Sequence, residues 1–225
     1  MKKKIIILSV LLLSTFLIVC ICFINREANL INTFEKTNTT QTLFEVVSFY
    51  QKKENYSEIV KYSELLLFDD SYNFNEIDLR KTDYEDDVAG MYDYCMQQYF
   101  LACSHVYEGD EYIEKIISGY TKYNNYGYAI SGVVDSIQEY YTINLDSDVC
   151  INAYDRLFEV ASHVVTKKML ISNKYDFVST NCENEQLIKQ TEADLKEYNS
   201  KVSNHMKESK QKGVGIEEYN STIKP

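Results

Sequence analysis

The fold is decided by residues 52–68, KKENYSEIVKYSELLLF, which predict one amphipathic helix with a defined start. Asn55 is typical of a residue that caps a helix N-terminus, and Glu58 three residues later completes a capping box. Apolar side chains then recur at helical spacing on one side of the helix: Ile59, Tyr62 and Leu66. Residues 107–120, YEGDEYIEKIISGY, repeat this order of polar turn, aromatic residue and amphipathic run, and they predict a second helix of the same kind.

The composition of the whole chain also favours helices. Its 225 residues include one proline and seven glycines, whereas a strand-rich domain needs many turns and therefore many of these residues. We predict an all-α fold, an irregular stack or bundle of about seven helices behind an N-terminal transmembrane helix. The predicted helices are 41–53, 56–68, 84–107, 111–122, 128–142, 148–170 and 183–210. Residues 171–182 are predicted to be a loop, with Thr180 and Glu183 as a second capping box.

The first residues predict a membrane anchor. Residues 5–24, IIILSVLLLSTFLIVCICFI, carry no charge, and about 20 apolar residues span the roughly 30 Å of a bilayer interior as a helix. Three lysines at residues 2–4 predict a cytoplasmic N-terminus, which leaves the remainder of the chain on the other side. The alternatives are a cleaved signal peptide with secretion of the rest, and a lipid-modified Cys20 or Cys22.

These features divide the chain into segments with different expected roles. We expect a cytoplasmic tip (1–4), a transmembrane signal anchor (5–24), a linker (25–40), an extracytoplasmic helical domain (41–210) and a flexible tail (211–225). The linker assignment rests on the lack of an apolar period in that stretch. The expected location is the cell membrane, which the chain crosses once.

Charge is distributed unevenly along the chain, whose formal net charge is −11. Residues 45–160 hold 23 acidic and 8 basic side chains, a net charge of −15, and residues 161–225 hold 9 acidic and 10 basic, a net charge of +1. An acidic domain repels phosphate backbones, so we predict no binding to nucleic acid. The acidic half either keeps the surface soluble or attracts a cationic partner.

Four cysteines of the exported part are candidate disulfide residues: Cys95, Cys103, Cys150 and Cys182. The first two lie on one predicted helix, about 12 Å apart along its axis, which is too far for a bridge between them. Bridges would therefore join each of these two to Cys150 or Cys182. The alternative is four buried thiols that act as small apolar side chains.

Sequence motifs of enzymes and metal sites do not occur in this chain. It has no C-x-x-C pair, no HExxH and no nucleotide-binding glycine motif. Residues 144–155, NLDSDVCINAYD, approach the spacing of a calcium loop, but Val149 occupies the position that requires glycine. We expect Asp146 to cap a helix N-terminus there instead. The sequence therefore predicts no cofactor and no metal ligands, and it favours a protein that is not an enzyme.

Residues 41–73 resemble one unit of the tetratricopeptide family, since YQKKENYSEIVKYSELLLFDDSYN aligns with the second half of that unit without a gap. The matching residues are Tyr56, Tyr62, Leu67 and Asp70. The departures are Glu54, Ile59, Leu66 and Ser71, where the family has glycine, alanine or proline. A second unit does not follow at the expected distance, because Tyr56 and Tyr112 are 56 residues apart rather than about 34. The resemblance implies a surface for binding peptides or proteins.

Tyrosines at the end of the fourth predicted helix are the candidate contact residues. They are Tyr120, Tyr123, Tyr126 and Tyr128, in the stretch YTKYNNYGY. Tyrosine gives a large contact area at low entropic cost, so an exposed cluster suits a peptide, protein or wall glycan. The alternative is that these tyrosines fill the core.

The leading functional hypothesis is a membrane-anchored extracytoplasmic helical domain that binds a protein or peptide, as a scaffold or accessory factor. One alternative is a surface-attached hydrolase that uses carboxylates of the acidic half. Another is a structural stalk that self-associates through residues 183–210, whose apolar seam has heptad-like spacing.

Overall fold

The computed structural model describes residues 26–37, 39–68, 87–123 and 129–212. Over these ranges the chain forms nine α-helices and no strand, which confirms the predicted all-α class. The helices are α1 (26–37), α2 (Thr40–Gln51), α3 (Tyr56–Phe68), α4 (Asp87–Val106), α5 (Gly109–Tyr123), α6 (Ala129–Asn144), α7 (Ser147–Val160), α8 (Val164–Asn181) and α9 (Glu185–Lys212).

Helices α2 to α9 form consecutive antiparallel hairpins, α2–α3, α4–α5, α6–α7 and α8–α9. The first helices of neighbouring hairpins run parallel, with α4 packed most extensively on α6. The register of α4 and α6 is set by the pairs Gln97 with Gly132, Phe100 with Ser136, and His105 with Glu139. Helix α2 packs on α4, and α6 packs on α8. The hairpins are therefore stacked side by side, with their connecting turns at one edge.

Tyrosine fills much of the core between the hairpins. Among the largest side chains that are almost fully buried, six are tyrosines: Tyr50, Tyr99, Tyr112, Tyr120, Tyr140 and Tyr154. The Ser136 hydroxyl of α6 donates to the Phe100 carbonyl of α4 at 2.5 Å, and the Tyr112 hydroxyl of α5 lies 3.0 Å from Ser136 Oγ. Because Ser136 has a single hydroxyl proton, Tyr112 must be the donor in the second bond. This buried chain satisfies polar groups that would otherwise be costly to dehydrate.

Residues 26–37 form a helix, whereas the sequence pattern predicted a linker over 25–40. The Glu27 carboxylate near the start of α1 accepts hydrogen bonds from the Tyr50 hydroxyl at 2.9 Å and the Lys53 ammonium at 2.7 Å. Tyr50 lies at the C-terminal end of α2, and Lys53 lies in the turn that follows it. Helix α1 is therefore antiparallel to α2 and tied to it at that end.

A second contact fixes the other half of α1. Phe34 is 3% exposed and packs edge-on against Tyr62 of α3, with the ring centroids 5.6 Å apart. Leu30 and Ile31 are partly buried against the same core, so the apolar face of α1 is only about one turn long, which is too short to stand out as a period in the sequence. This is why the pattern did not reveal the helix.

The predicted boundary between the last two helices was wrong. In place of a helix over 148–170 and a loop over 171–182, the chain breaks at residues 161–163, and α8 continues through most of the predicted loop. Thr180 consequently lies inside α8 rather than at a cap. Asn184 caps α9 instead, because its side chain accepts hydrogen bonds from two following backbone N–H groups at 3.1 Å.

The break at 161–163 is set by tertiary packing. It contains no glycine or proline, so no local signal marks it. Ala161 has extended backbone and packs into the main core, whereas Val164 joins a second apolar cluster with Tyr198 and Val202 of α9. The chain must turn between them to reach both clusters.

Two predicted helix starts are confirmed. Asn55 Oδ1 accepts a hydrogen bond from the Glu58 backbone N–H at 3.4 Å, and α3 begins at the next residue. Asp146 Oδ1 accepts one from the Val149 N–H at 3.1 Å and caps α7. The stretch 144–155 is thus mostly helical. This agrees with the interpretation of Asp146 as a helix cap, whereas a calcium loop would not be helical over these residues. No group of three potential metal ligands occurs in the described part of the chain.

The apolar seam of α9 packs on the chain's own bundle. Thr191, Tyr198 and Val202 are at most 8% exposed, and the Tyr198 hydroxyl donates to the Val164 carbonyl of α8 at 3.5 Å. These three residues of the seam that suggested self-association over 183–210 therefore pack within one molecule, where α9 lies against α8. The His205 side chain is outside what the structure describes, and self-association stays a prediction.

Some predictions concern residues outside the described ranges. These are the anchor at 5–24, the tyrosines Tyr126 and Tyr128, and the tail from residue 213 onward. Among the helices that are described, none is both long and apolar enough to cross a membrane.

Alanine substitutions at two helix glycines should change stability in opposite directions. A Cβ on Gly119 would lie 2.7 Å from Cε1 of Tyr99, a fully buried ring whose hydroxyl donates to the Lys115 carbonyl at 3.4 Å. Because this ring has little room to move, we expect Gly119→Ala to lower the free energy of unfolding by about 1–3 kcal/mol. At Gly90 a Cβ would meet no atom of the described residues within 4 Å, so Gly90→Ala should raise the free energy of unfolding by about 0.5–1 kcal/mol. Urea unfolding followed by circular dichroism measures both, and changes of the same sign would contradict this packing.

The docking of α1 should depend on pH through Glu27. The hydrogen bond from Lys53 holds the pKa of Glu27 below its ordinary value of 4.5. A pKa lowered in the folded state adds stability above the unfolded-state pKa, and this is lost as pH falls through the folded-state pKa. We expect Glu27→Gln to lower the free energy of unfolding by about 0.5–1 kcal/mol at pH 7, since the pair is partly screened by solvent. The difference should shrink towards pH 3, and Glu35→Gln on the exposed side of α1 is the matched control.

Candidate functional site

An open groove runs along one face of α3. It has a volume of about 840 Å³ and is lined by Ser57, Val60, Lys61, Glu64, Leu65, Phe68, Val106 and Tyr107. The α3 residues follow helical spacing, which places them on one side of that helix, and the last two residues come from the end of α4 and the turn after it. Ser57 and Phe68 are 11 residues apart, so this α3 groove is about 17 Å long.

Apolar side chains are exposed at one end of the α3 groove. Leu65 is 36% exposed and Phe68 is 46% exposed, whereas Val60 at the base of the groove is buried. An isolated exposed apolar residue needs no explanation, but neighbouring ones within a concave surface are typical of contact sites. This end of the groove therefore provides the apolar part of a binding surface.

Charged side chains along the α3 groove are paired with one another. Lys115 of α5 donates to Glu64 at 2.6 Å and lies 4.9 Å from the centre of the Tyr107 ring. Lys61 donates to Glu58 at 2.9 Å on the exposed side of α3. Each pair neutralises itself, so the groove has polar edges without a local excess of charge.

The electrostatics of these groups suit binding rather than proton transfer. The hydrogen bond from Lys115 to Glu64 raises the pKa of Lys115, and burial raises the pKa of the Tyr107 phenol. Both groups therefore keep their protons at neutral pH, whereas a general acid or base needs a pKa close to the working pH. The α3 groove can hold an apolar side chain and exchange hydrogen bonds with a ligand.

A smaller cavity of about 200 Å³ lies between α7, α8 and α9. Its apolar wall consists of Phe158, Leu170 and Ile171. The hydroxyl of Tyr154 is buried beside it and has no hydrogen-bond partner among the described residues. Asp155 and Asp194 also line it, and the Asp155 side chain is 52% exposed and accepts a hydrogen bond from Lys174 at 2.5 Å. A hydrolase acid is normally desolvated, so a half-exposed, paired carboxylate gives little support to the hydrolase alternative.

Of the four tyrosines predicted to be contact residues, the structure describes the side chain of one, Tyr120, and buries it. Tyr120 is 2% exposed and burial raises its pKa to about 12, so it belongs to the core and not to an exposed surface. Tyr123 ends α5, but its side chain is outside what the structure describes, as are Tyr126 and Tyr128. The exposed tyrosine cluster stays a prediction for those three residues.

The four candidate disulfide cysteines are free thiols in the structure. Cys95, Cys103 and Cys150 are fully buried on α4 and α7, and Cys182 at the end of α8 is half-buried. Burial raises the pKa of Cys95 and of Cys150 to about 12. These buried thiols fill space in the core as small apolar side chains do, and they are poor nucleophiles.

The sequence analysis did not predict the α3 groove. Its two walls come from segments about 40 residues apart, so no local pattern brings Val106 and Tyr107 next to α3. The signal that was available is the run LLLF over 65–68, which has more apolar residues than one buried stripe requires. Two residues of this run, Leu65 and Phe68, are exposed at the groove.

Comparisons with known proteins give no relative on which to base a function. No family model matches the chain, and neither curated proteins nor solved structures give a significant match. The function must therefore be argued from the groove, the charge distribution and the helical architecture.

Thiol labelling tests the state of the four cysteines. At pH 8 without added reductant, we expect iodoacetamide to modify Cys182 in the folded chain while Cys95, Cys103 and Cys150 react at least about 100-fold more slowly, because burial suppresses the thiolate. Urea should make all four reactive, as read by peptide mass spectrometry. Protection of Cys182 that disappears only on reduction would instead demonstrate a disulfide.

Proposed function

We propose that this protein is a membrane-anchored, extracytoplasmic helical domain that binds a protein or peptide through the α3 groove. The observation that carries the binding proposal is the exposure of Leu65 and Phe68 within a concave surface with paired charges along its edges. The apolar area of such a surface stays in contact with water, which is unfavourable, unless a ligand covers it. The domain acts as a scaffold or accessory factor, and the absence of enzyme motifs in the sequence agrees with this role.

The ligand that fits the α3 groove best is an amphipathic helix with basic side chains. About three helical turns match the 17 Å length of the groove, and leucine-like anchors at helical spacing would cover the apolar end. Residues 45–160 carry a net charge of −15, which attracts a lysine- or arginine-rich partner and repels an acidic one. Because the charges along the groove are paired, this attraction comes from the field of the acidic domain as a whole, and it favours basic amphipathic helices over acidic ones of similar shape.

The hairpin arrangement supports the proposed likeness to tetratricopeptide units. Helices α2 and α3 meet at the turn that the resemblance assigns, and neighbouring hairpins stack on them with the same orientation. Stacked helical hairpins expose extended surfaces, and proteins built this way commonly bind peptides. The irregular lengths of the later hairpins separate this chain from a regular repeat array.

The membrane location is proposed from the sequence. The uncharged residues 5–24 are long enough to span a bilayer, and the lysines at 2–4 favour a cytoplasmic N-terminus. Resistance to alkaline extraction from membranes is the expected behaviour of such an anchor. Secretion after signal cleavage is the alternative, and it would leave the binding proposal intact.

Binding of a defined peptide tests the α3 groove. The probe is a fluorescein-labelled amphipathic helix of leucine and lysine, and its affinity is measured by fluorescence anisotropy. We expect Leu65→Lys to weaken binding at least about tenfold, since the change places a cation on the apolar contact and repels a basic ligand. Raised salt should weaken binding to the unmodified protein as well, because part of the attraction is electrostatic.

The matched control for Leu65→Lys is Val165→Lys. Val165 is an exposed valine on α8, 64% accessible and outside the α3 groove, so the same charge change there should leave affinity within about twofold. Circular dichroism checks that both variants are folded. Equal loss of affinity in both variants, or no binding by the unmodified protein, would contradict the proposed use of the groove.

A further inference from the structure

The turns that join the two helices of each hairpin lie at one edge of the bundle. We call this the turn edge: residues 52–55, 107–108, 145–146 and 182–184. Tyr56 after the first turn stacks on His105 before the second, with ring centroids 3.7 Å apart. The Gly109 N–H after the second turn donates to the Tyr140 hydroxyl near the third at 2.9 Å.

The fourth turn lies at the same edge. The Tyr141 hydroxyl of α6 donates to the Asn181 carbonyl, the last residue of α8, at 3.4 Å. Contacts therefore link every turn to the next across the whole stack. The turn edge behaves as one surface rather than as separate loops.

Helix α1 enters the domain at this same edge. Glu27 is bound by Tyr50 and Lys53, which lie at the end of α2 and in the first turn. The apolar stretch 5–24 ends three residues before Glu27, and three residues reach at most about 10 Å whatever their conformation. If that stretch spans the bilayer, the turn edge is held at the membrane surface.

The tip of the third turn has an unusual exposed leucine. Leu145 is 74% exposed and its backbone is left-handed, with φ of 54°, although the position after a helix C-terminus ordinarily favours glycine. Its N–H still donates to the Tyr141 carbonyl at 2.8 Å, which closes α6. Ile143 beside it is 45% exposed. The chain thus keeps Leu145 exposed on the loop tip at a cost in backbone strain, with Ile143 exposed on the last turn of α6 next to it.

We infer that the turn edge of the domain rests on the lipid bilayer, with Leu145 and Ile143 inserted among the lipid headgroups. This rests on the proposed membrane anchor, since the anchor is what brings the edge to the bilayer. The transfer of an apolar side chain at a loop tip from water to the interfacial region of the bilayer is favourable. Glu27 and Phe34 on α1 would fix the orientation of the domain instead of letting it swing on a linker.

The charges at the turn edge indicate the preferred lipid. Arg26 and Lys52 are exposed where the chain enters. The turn edge itself carries four carboxylates, those of Glu54, Glu108, Asp146 and Glu183, and Asp148 follows the third turn. Carboxylates beside the inserted leucine are repelled by anionic headgroups, and zwitterionic headgroups impose no such penalty. We expect closer contact of the third turn with phosphatidylcholine vesicles than with vesicles rich in phosphatidylglycerol.

Fluorescence quenching by lipid measures this contact. The full chain is reconstituted with Cys20, Cys22 and Cys182 replaced by alanine and with one nitrobenzoxadiazole label, either on Thr142→Cys near the third turn or on Ser162→Cys. Both positions are exposed, and Ser162 lies at the far end of α7, about 20 Å from the turn edge. Lipids with a nitroxide near the headgroup should quench the first label at least about twofold more than the second, since α7 holds Ser162 about 20 Å away from the turn edge and quenching falls steeply with distance.

Leu145→Gly separates lipid contact from folding. Glycine adopts the left-handed backbone without strain, so this variant should unfold at the same or higher urea concentration. With the Thr142→Cys label this variant should nevertheless show much weaker quenching, because the Leu145 side chain no longer enters the lipid. Unchanged quenching in Leu145→Gly would overturn the insertion of Leu145.

Failure of the anchor and failure of the orientation give different results. If alkaline carbonate releases the chain from the vesicles, the proposed anchor is wrong and the orientation falls with it. If the chain is retained but the Thr142→Cys label is quenched no more than the Ser162→Cys label, the anchor stands and the orientation is overturned. Retention together with selective quenching at Thr142→Cys supports both.

Discussion

The buried hydroxyl of Ser136 fixes the register on which the rest of the structure depends. It donates to the Phe100 carbonyl of α4 and accepts from Tyr112 of α5, so a single side chain joins the second and third hairpins in the core. A polar group buried there is stable only when fully paired, and a shift of either helix would break both bonds. The constraint makes α4 and α6 parallel neighbours, and the hairpin turns consequently share one edge.

That shared edge separates the molecule into surfaces with different properties. The turn edge carries the docked start of α1 and the exposed Leu145. The α3 groove begins at Tyr107 on this edge and extends along α3 to the exposed Leu65 and Phe68 at its far end. A domain held at one edge leaves the faces of its helices accessible to partners. Orientation and binding can therefore be provided by different parts of the same stack.

The parts that were predicted correctly depend on local physical chemistry. Asn55 and Asp146 cap helices because their side chains reach backbone N–H groups a few residues away. The parts that were missed depend on distant contacts. The turn at 161–163 exists because Ala161 and Val164 pack in different clusters, and the docking of α1 relies on partners in α2 and α3. The α3 groove likewise needs Val106 and Tyr107 from another hairpin.

The sequence by itself determined that the protein is all-α, where most of its helices begin, that residues 45–160 are acidic, and that an uncharged stretch precedes the domain. Each of these follows from periodicity, capping or composition, which act within a few residues. Only the tertiary structure decided that Tyr120 is buried, that Leu65, Phe68 and Leu145 are exposed, and that the four turns lie together. Exposure is a property of the neighbours that a side chain meets, and in a stack of hairpins most of those neighbours come from remote parts of the chain.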